Sequence, residues 1–116
     1  MASVFNMQEI GYALEKIGDF IRRSGSGALP GYANAGITAV IVESLRACEE
    51  KLRAHHTPKD VIAYHLGPAI YAACQLQSHV TGDKSDIPNR DAAEVYRGFL
   101  KARIEELHHM EQGLDS

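Results

Sequence analysis

The sequence predicts an all-α fold: a four-helix bundle-like single domain over residues 1–116, with the third helix central and kinked at Gly67-Pro68. Three observations predict it. Four segments repeat their apolar residues every three or four positions, as one face of an α-helix does. No segment alternates apolar and polar residues as a half-buried strand would. Between the segments stand stretches rich in Gly, Pro, Ser, Asn and Asp, the composition of turns and loops. The expected helices span about 4–23, 35–55, 58–80 and 90–112.

Each helix has its own signals. In the first, Met7, Ile10, Leu14, Ile17 and Ile21 form one stripe, and Asn6 with Glu9 has the spacing of a capping box. Gly11 and Gly18 lie along one edge of that stripe. Glycine costs a helix about 1 kcal/mol relative to Ala, so the pair predicts either a close backbone approach or two tolerated glycines. Residues 24–34 (SGSGALPGYAN) read as a loop. The second helix carries Ile37, Ile41, Leu45, Cys48 and Leu52 inward. Glu43, Arg46, Glu50 and Arg53 fall mostly on its solvated side. Thr57-Pro58-Lys59-Asp60 reads as a boundary: Thr57 as cap, Pro58 at the first helical position, Asp60 at the positive end of the dipole. A second loop, TGDKSDIPN, ends at Asn89, where the fourth helix starts with Asp91 and Glu94 in its first turn.

Composition removes several classes. Apolar residues at 45% and charged residues at 23% match a globular chain and not a disordered one. A net charge of −3 supplies no drive toward phosphate backbones or anionic lipid. The N-terminus lacks a basic segment followed by an apolar run, so no signal peptide is expected and the expected location is cytoplasmic. The two cysteines, Cys48 and Cys74, sit in apolar helical patterns without C-x-x-C spacing, as reduced core thiols do.

The most informative stretch runs from Val61 to Gly82, which holds no Asp, Glu, Lys or Arg. Its two His, two Gln, one Ser and internal Gly67-Pro68 make it too polar for a membrane span. A helix apolar all round is instead buried all round. Ile62, Leu66, Ala69, Ala73, Leu76 and Val80 make an ordinary core face. The opposite face carries Tyr64, Pro68, Tyr71, Gln75 and Ser78. A partner subunit, the 24–34 loop or a ligand must cover that second face. Pro68 removes one helical hydrogen bond and kinks the axis, which is structural or opens a cavity lined by Tyr64, His65 and Tyr71.

Two further features bear on chemistry. The fourth helix reads as an apolar stripe of Ala92, Tyr96, Phe99, Arg103, Leu107 and Met110, with a charge in its middle. Burying Arg103 demands a partner; Glu106, three residues on, is the expected one. An anionic ligand or an extension to solvent are the alternatives. The six His call for a metal test. His55-His56 and His108-His109 each end a helix, where the dipole favours them, while His65 and His79 do not share a face. A ferritin-like carboxylate site needs two Glu-x-x-His motifs on separate helices. Only the fourth helix supplies them, so Glu105, His108 and His109 stand as the metal candidates. The 24–34 loop lacks a phosphate-binding motif, no nucleophile motif is present, and no basic recognition helix appears.

The sequence thus leads to a non-enzymatic helical binding or regulatory protein, an inhibitor or adaptor. It would self-associate, a dimer being the first expectation, and bind a macromolecular partner. The candidate interface residues are Tyr64, Pro68, Tyr71, Gln75, Arg103 and Glu106. No catalytic residue, cofactor, nucleic acid or membrane partner is implied. The alternative is a small-ligand or metal-binding protein, or an enzyme, with a site between the third and fourth helices.

Overall fold

The computed structural model describes residues 3–23 and 32–114, with 32–35 described in backbone only. Four α-helices follow one another: α1 (Met7–Arg23), α2 (Tyr32–Ala54), α3 (Lys59–Thr81) and α4 (Arg90–Gly113). No strand occurs among the described residues. Each helix packs on its neighbours in sequence, α1 and α4 close the ring, and the diagonal contacts are the slightest. The architecture is the expected all-α, bundle-like one.

Local chemistry explains the boundaries. Asn89 caps α4, its side chain accepting from Ala92 N at 2.9 Å. Asn6 does the same for Glu9 N at 3.1 Å, so α1 starts at Met7 and not near Val4. The α2–α3 corner differs from the expected cap. Pro58 itself is the N-cap (φ −57°, ψ 144°), without a side-chain capping bond, and its carbonyl accepts from Ile62 N at 3.1 Å. Pro58 keeps an extended ψ in place of a helical one, so the helix begins one residue late, at Lys59. The α2 end closes as a Schellman turn: Thr57 N donates to Leu52 O and His56 N to Arg53 O, with His56 at φ 62°. At the other boundary α2 begins at Tyr32, three residues earlier than expected. The phosphate reading of the Gly-rich loop falls on residues 24–31, outside the described ones.

The core follows the stripes read for α1, α2 and α3. Ile10, Leu14, Ile17 and Ile21, then Ile41, Leu45, Cys48 and Leu52, then Ile62, Leu66, Ala69, Ala73, Leu76 and Val80 are all buried. α4 is turned by one residue from the expected stripe. Ala93, Leu100, Ile104, Leu107 and Glu111 face the core. Of the expected set only Leu107 is fully buried; Ala92, Tyr96 and Met110 pack at the edge, and Phe99 is 39% exposed. Two apolar lines run side by side on α4, and the inner one ends on an acid, which hid it.

That acid closes the ring. Glu111 has no exposed surface. Its Oε1 accepts from Val4 N at 2.8 Å and from the Ser3 hydroxyl, and its Oε2 from Lys51 Nζ at 3.1 Å. The segment before α1, α2 and α4 are thereby tied at one point. Ser3 is saturated: its one proton goes to Glu111, so Phe5 N (3.0 Å) and His108 Nδ1 (3.1 Å) donate to its oxygen. Phe5, 2% exposed, packs edge-on against the His108 ring.

A second tie joins α1 to α4. Arg97 pairs with Glu94 and donates from Nη1 to Leu14 O at 3.3 Å. Its guanidinium lies 3.0 Å from where a Cβ on Gly18 would stand. Gly18 therefore makes room for a side chain and not for a backbone, while Gly11 has nothing within 4 Å.

Two outcomes follow from these contacts. Burial would push the Glu111 carboxyl up, but the bonds from Ser3, Val4 and Lys51 outweigh it and hold it below its ordinary 4.5. A carboxyl lowered in the folded state stabilises above its unfolded pKa and loses that contribution as pH falls through the folded one. Glu111→Ala should cost about 3–5 kcal/mol at neutral pH, the range for stranding one partner of a buried pair. The gap from wild type should narrow below pH 4.5 in denaturant titrations. Gly11→Ala should add roughly 0.5–1 kcal/mol, and Gly18→Ala less, since it displaces the Arg97 head group; chemical unfolding distinguishes the two.

Candidate functional site

α3 and α4 run antiparallel, as their facing pairs require. The Tyr71 and Tyr96 rings lie 6.5 Å apart near one end. The Arg103 guanidinium lies 5.9 Å from the Tyr64 ring and 5.6 Å from the Phe99 ring nearer the other. Between them opens an apolar depression of about 310 Å³, lined by Pro68, Tyr71, Ala72, Val95, Tyr96 and Phe99.

The helix phases produce this surface. α3 turns its core face inward through Leu66, Ala69, Ala73 and Leu76, which leaves Tyr64, Pro68 and Tyr71 outward. α4 buries Leu100 and Ile104, which leaves Val95 and Phe99 outward. Five large hydrophobic side chains are exposed among the described residues: Tyr12, Tyr64, Tyr71, Val95 and Phe99. The last four stand on this one surface, Tyr64 at 67% and Val95 at 71% exposure.

Polar groups mark its two ends. At one, the α3–α4 loop folds back: Tyr71 Oη and Gln75 Nε2 donate to Asp86 Oδ2 at 3.2 and 3.3 Å. Gln75 Oε1 accepts from Asp86 N at 2.8 Å and from the Ser85 hydroxyl at 3.2 Å. Gln75 thus acts as a clamp on the loop. At the other end Arg103 Nη1 donates to Glu106 Oε2 at 3.0 Å, and Arg103 is about one-quarter exposed. The expected Arg103–Glu106 pair is present, at the border of the aromatic surface and not within the core.

The structure therefore places Tyr64, Pro68, Tyr71, Gln75, Arg103 and Glu106 on one surface. Of the three residues expected to line a cavity at the proline only Tyr71 does so; Tyr64 and His65 do not line the depression, and their rings pack edge-on at 5.1 Å. Sequence reasoning missed Val95, which follows no stripe inward and stands four residues after Asp91 on the outer side. It also missed Asp86, whose role depends on how the loop folds back. The signal for Val95 was a β-branched residue outside every core stripe.

Among the described residues no three His, Cys, Asp or Glu side chains gather to hold a metal ion. Glu105 and His109 are exposed, and His108 is turned to Ser3. The donor set Glu105, His108 and His109 is not assembled around a point within the chain. Cys48 is buried and free, and burial, then the charge of Glu111, pushes its thiol up to about 11. It is a core side chain. Burial lowers the half-buried His79 below its ordinary 6.5. A second hollow, of about 400 Å³, lies where α2 ends and α3 begins, with Glu49, Arg53, Lys59, Ile62 and Ala63 around it. Its Arg53 is already bonded to Glu49 at 3.3 Å. Among the described residues no helix is long and apolar enough to cross a membrane.

Comparison with protein-family models, with curated proteins and with solved structures finds no match to this chain.

Desolvation, then the bond to Asp86, raises the Tyr71 phenol above its ordinary 10.0. Asp86→Asn removes the adjacent negative charge and leaves the desolvation. The Tyr71 titration should then shift to lower pH without reaching its ordinary value. Ring-carbon NMR of the tyrosines, followed through the alkaline range, resolves this; an unmoved Tyr71 would show that the loop does not hold Asp86 against it.

Proposed function

We propose that this protein is a non-enzymatic helical binding protein whose working surface is the α3–α4 face, through which it self-associates. The observation that supports this reading is that Tyr71, Val95 and Phe99, three of the five large exposed hydrophobics among the described residues, line one apolar depression, with a fourth, Tyr64, beside Arg103 at its border. Contiguous apolar surface rimmed by polar groups is what protein-binding surfaces present. Aromatic residues and an arginine at such a place are the residue types that carry binding energy. The depression, near the lower bound of ~300 Å³ for small-molecule pockets and walled by two helices only, suits a side chain of a partner better than an enclosed ligand. The assembled subunits would leave their acidic surfaces outward for a macromolecular partner, in the manner of an adaptor or inhibitor.

Val95 is the cleanest probe, because at 71% exposure it contributes little to the fold. Wild type should sediment as an associating species at tens of micromolar, an affinity range common for modest interfaces. Val95→Asp should be monomeric there, with an unchanged melting temperature. Wild type that remains monomeric at high micromolar concentration sinks the reading.

A further inference from the structure

We infer that residues 3–5 form a detachable latch: the segment swings away about Asn6 while the four helices stay folded, and the Glu111 carboxylate is the catch that holds it closed. The opened latch bares the place that Phe5 fills, together with the Lys51–Glu111 pair.

Asn6 makes the hinge. Its side chain caps α1 through Glu9 N at 3.1 Å, and its carbonyl accepts from Ile10 N at 2.9 Å. The start of α1 is thus held from Asn6 onward. Among the described residues no backbone-to-backbone bond ties residues 3–5 to a helix. Local opening follows such lines, where few bonds cross.

Side chains at two points hold the segment. Val4 N donates to Glu111 Oε1 at 2.8 Å, and the Ser3 hydroxyl donates to the same oxygen. His108 Nδ1 donates to Ser3 Oγ at 3.1 Å. The second point is Phe5, buried with its ring edge-on to His108. Among the described residues, every hydrogen bond that crosses from the segment to the bundle ends on Glu111 or His108, three residues apart on α4.

Of these two, Glu111 is the one that answers to acid. Nδ1 of His108 carries a hydrogen in the neutral donor form and in the protonated ring, so its bond to Ser3 survives in both. A proton on Glu111 removes an acceptor position and the charge that strengthens the bonds from Val4 and Ser3. Facing it from α2 stand Lys51, at 3.1 Å, and the buried Cys48, whose ionisation its charge opposes. Among the described residues α1 and α3 bring no ion pair to it. Desolvation would raise its carboxyl, yet the bonds from Ser3, Val4 and Lys51 hold it below its ordinary 4.5. Closure is therefore strongest above that value and weakens as pH falls through the lower one.

Native-state hydrogen exchange read by NMR and corrected for intrinsic rates tests the latch. Val4 N reports the segment; Ile17 N and Ile104 N, of buried residues within α1 and α4, report the bundle. Val4 should exchange through an opening at least about tenfold more populated than those of Ile17 and Ile104, and nearly independent of denaturant. From about pH 6 to about pH 3.5 that opening should grow, by up to about tenfold per unit. Glu111→Gln, which keeps an acceptor and cannot ionise, should flatten this response. Ser3→Ala leaves the Lys51–Glu111 pair in place and should populate the opening roughly tenfold more, the effect of losing a bond to a charged group. Val4 exchange with the population and denaturant slope of Ile104 overturns the latch. A local opening at Val4 that is flat with pH in wild type, or equally steep in Glu111→Gln, overturns Glu111 as its catch.

Discussion

One buried carboxylate holds the ends of this chain together. Glu111 is out of contact with water, and a charge in that position is tolerable only if donors surround it. Three do, and they come from different parts of the chain: Ser3 and Val4 before α1, and Lys51 near the end of α2. The carboxylate therefore sets where the N-terminal segment lies, how α4 is rotated, and where α2 stops relative to both. Once Glu111 points inward, Leu107, Ile104, Leu100 and Ala93 follow it into the core by helical periodicity. Phe99, Val95 and Arg103 are then left outside.

The same rotation explains what could and could not be read in the sequence. The stripes of α1, α2 and α3 are legible because each is an unbroken run of apolar residues at three- and four-residue spacing. α4 offered two such lines, 92/96/99/103 and 93/100/104/107. Periodicity cannot rank adjacent lines, and the aromatic residues made the wrong one look stronger. A hydrophobic count treats Glu111 as solvated, because its burial depends on donors far away in sequence. The surface was half legible for a related reason. Tyr64, Pro68, Tyr71 and Gln75 share a helix and a spacing, so they could be grouped. Val95 joins them only through tertiary placement, and Asp86 only through the path of a loop.

Helix α3 shows how a chain this short accommodates a segment without charges. Its inner face is covered by the other helices. Part of its outer face is covered by the loop that follows it, with Gln75 bonding that loop through both its side-chain groups. The α3–α4 connection is thus a cover as well as a linker, and what it leaves uncovered, from Tyr71 to Tyr64, is the aromatic surface. Pro68 sits in the middle of that uncovered run. A proline there presents a flat apolar ring with no N–H to satisfy, which suits an outward surface that water should leave readily.

The division of α4 into an inner and an outer line has an evolutionary consequence. Residues 93, 100, 104, 107 and 111 answer to the fold, whereas 95, 99 and 103 answer to whatever the surface meets. Side chains on the outer line can change without opening a cavity or stranding a buried charge. Selection can therefore reshape that outer surface while the folding of the chain stays the same. A lineage under no selection on that outer surface would drift first at Val95 and Phe99, and would keep Glu111.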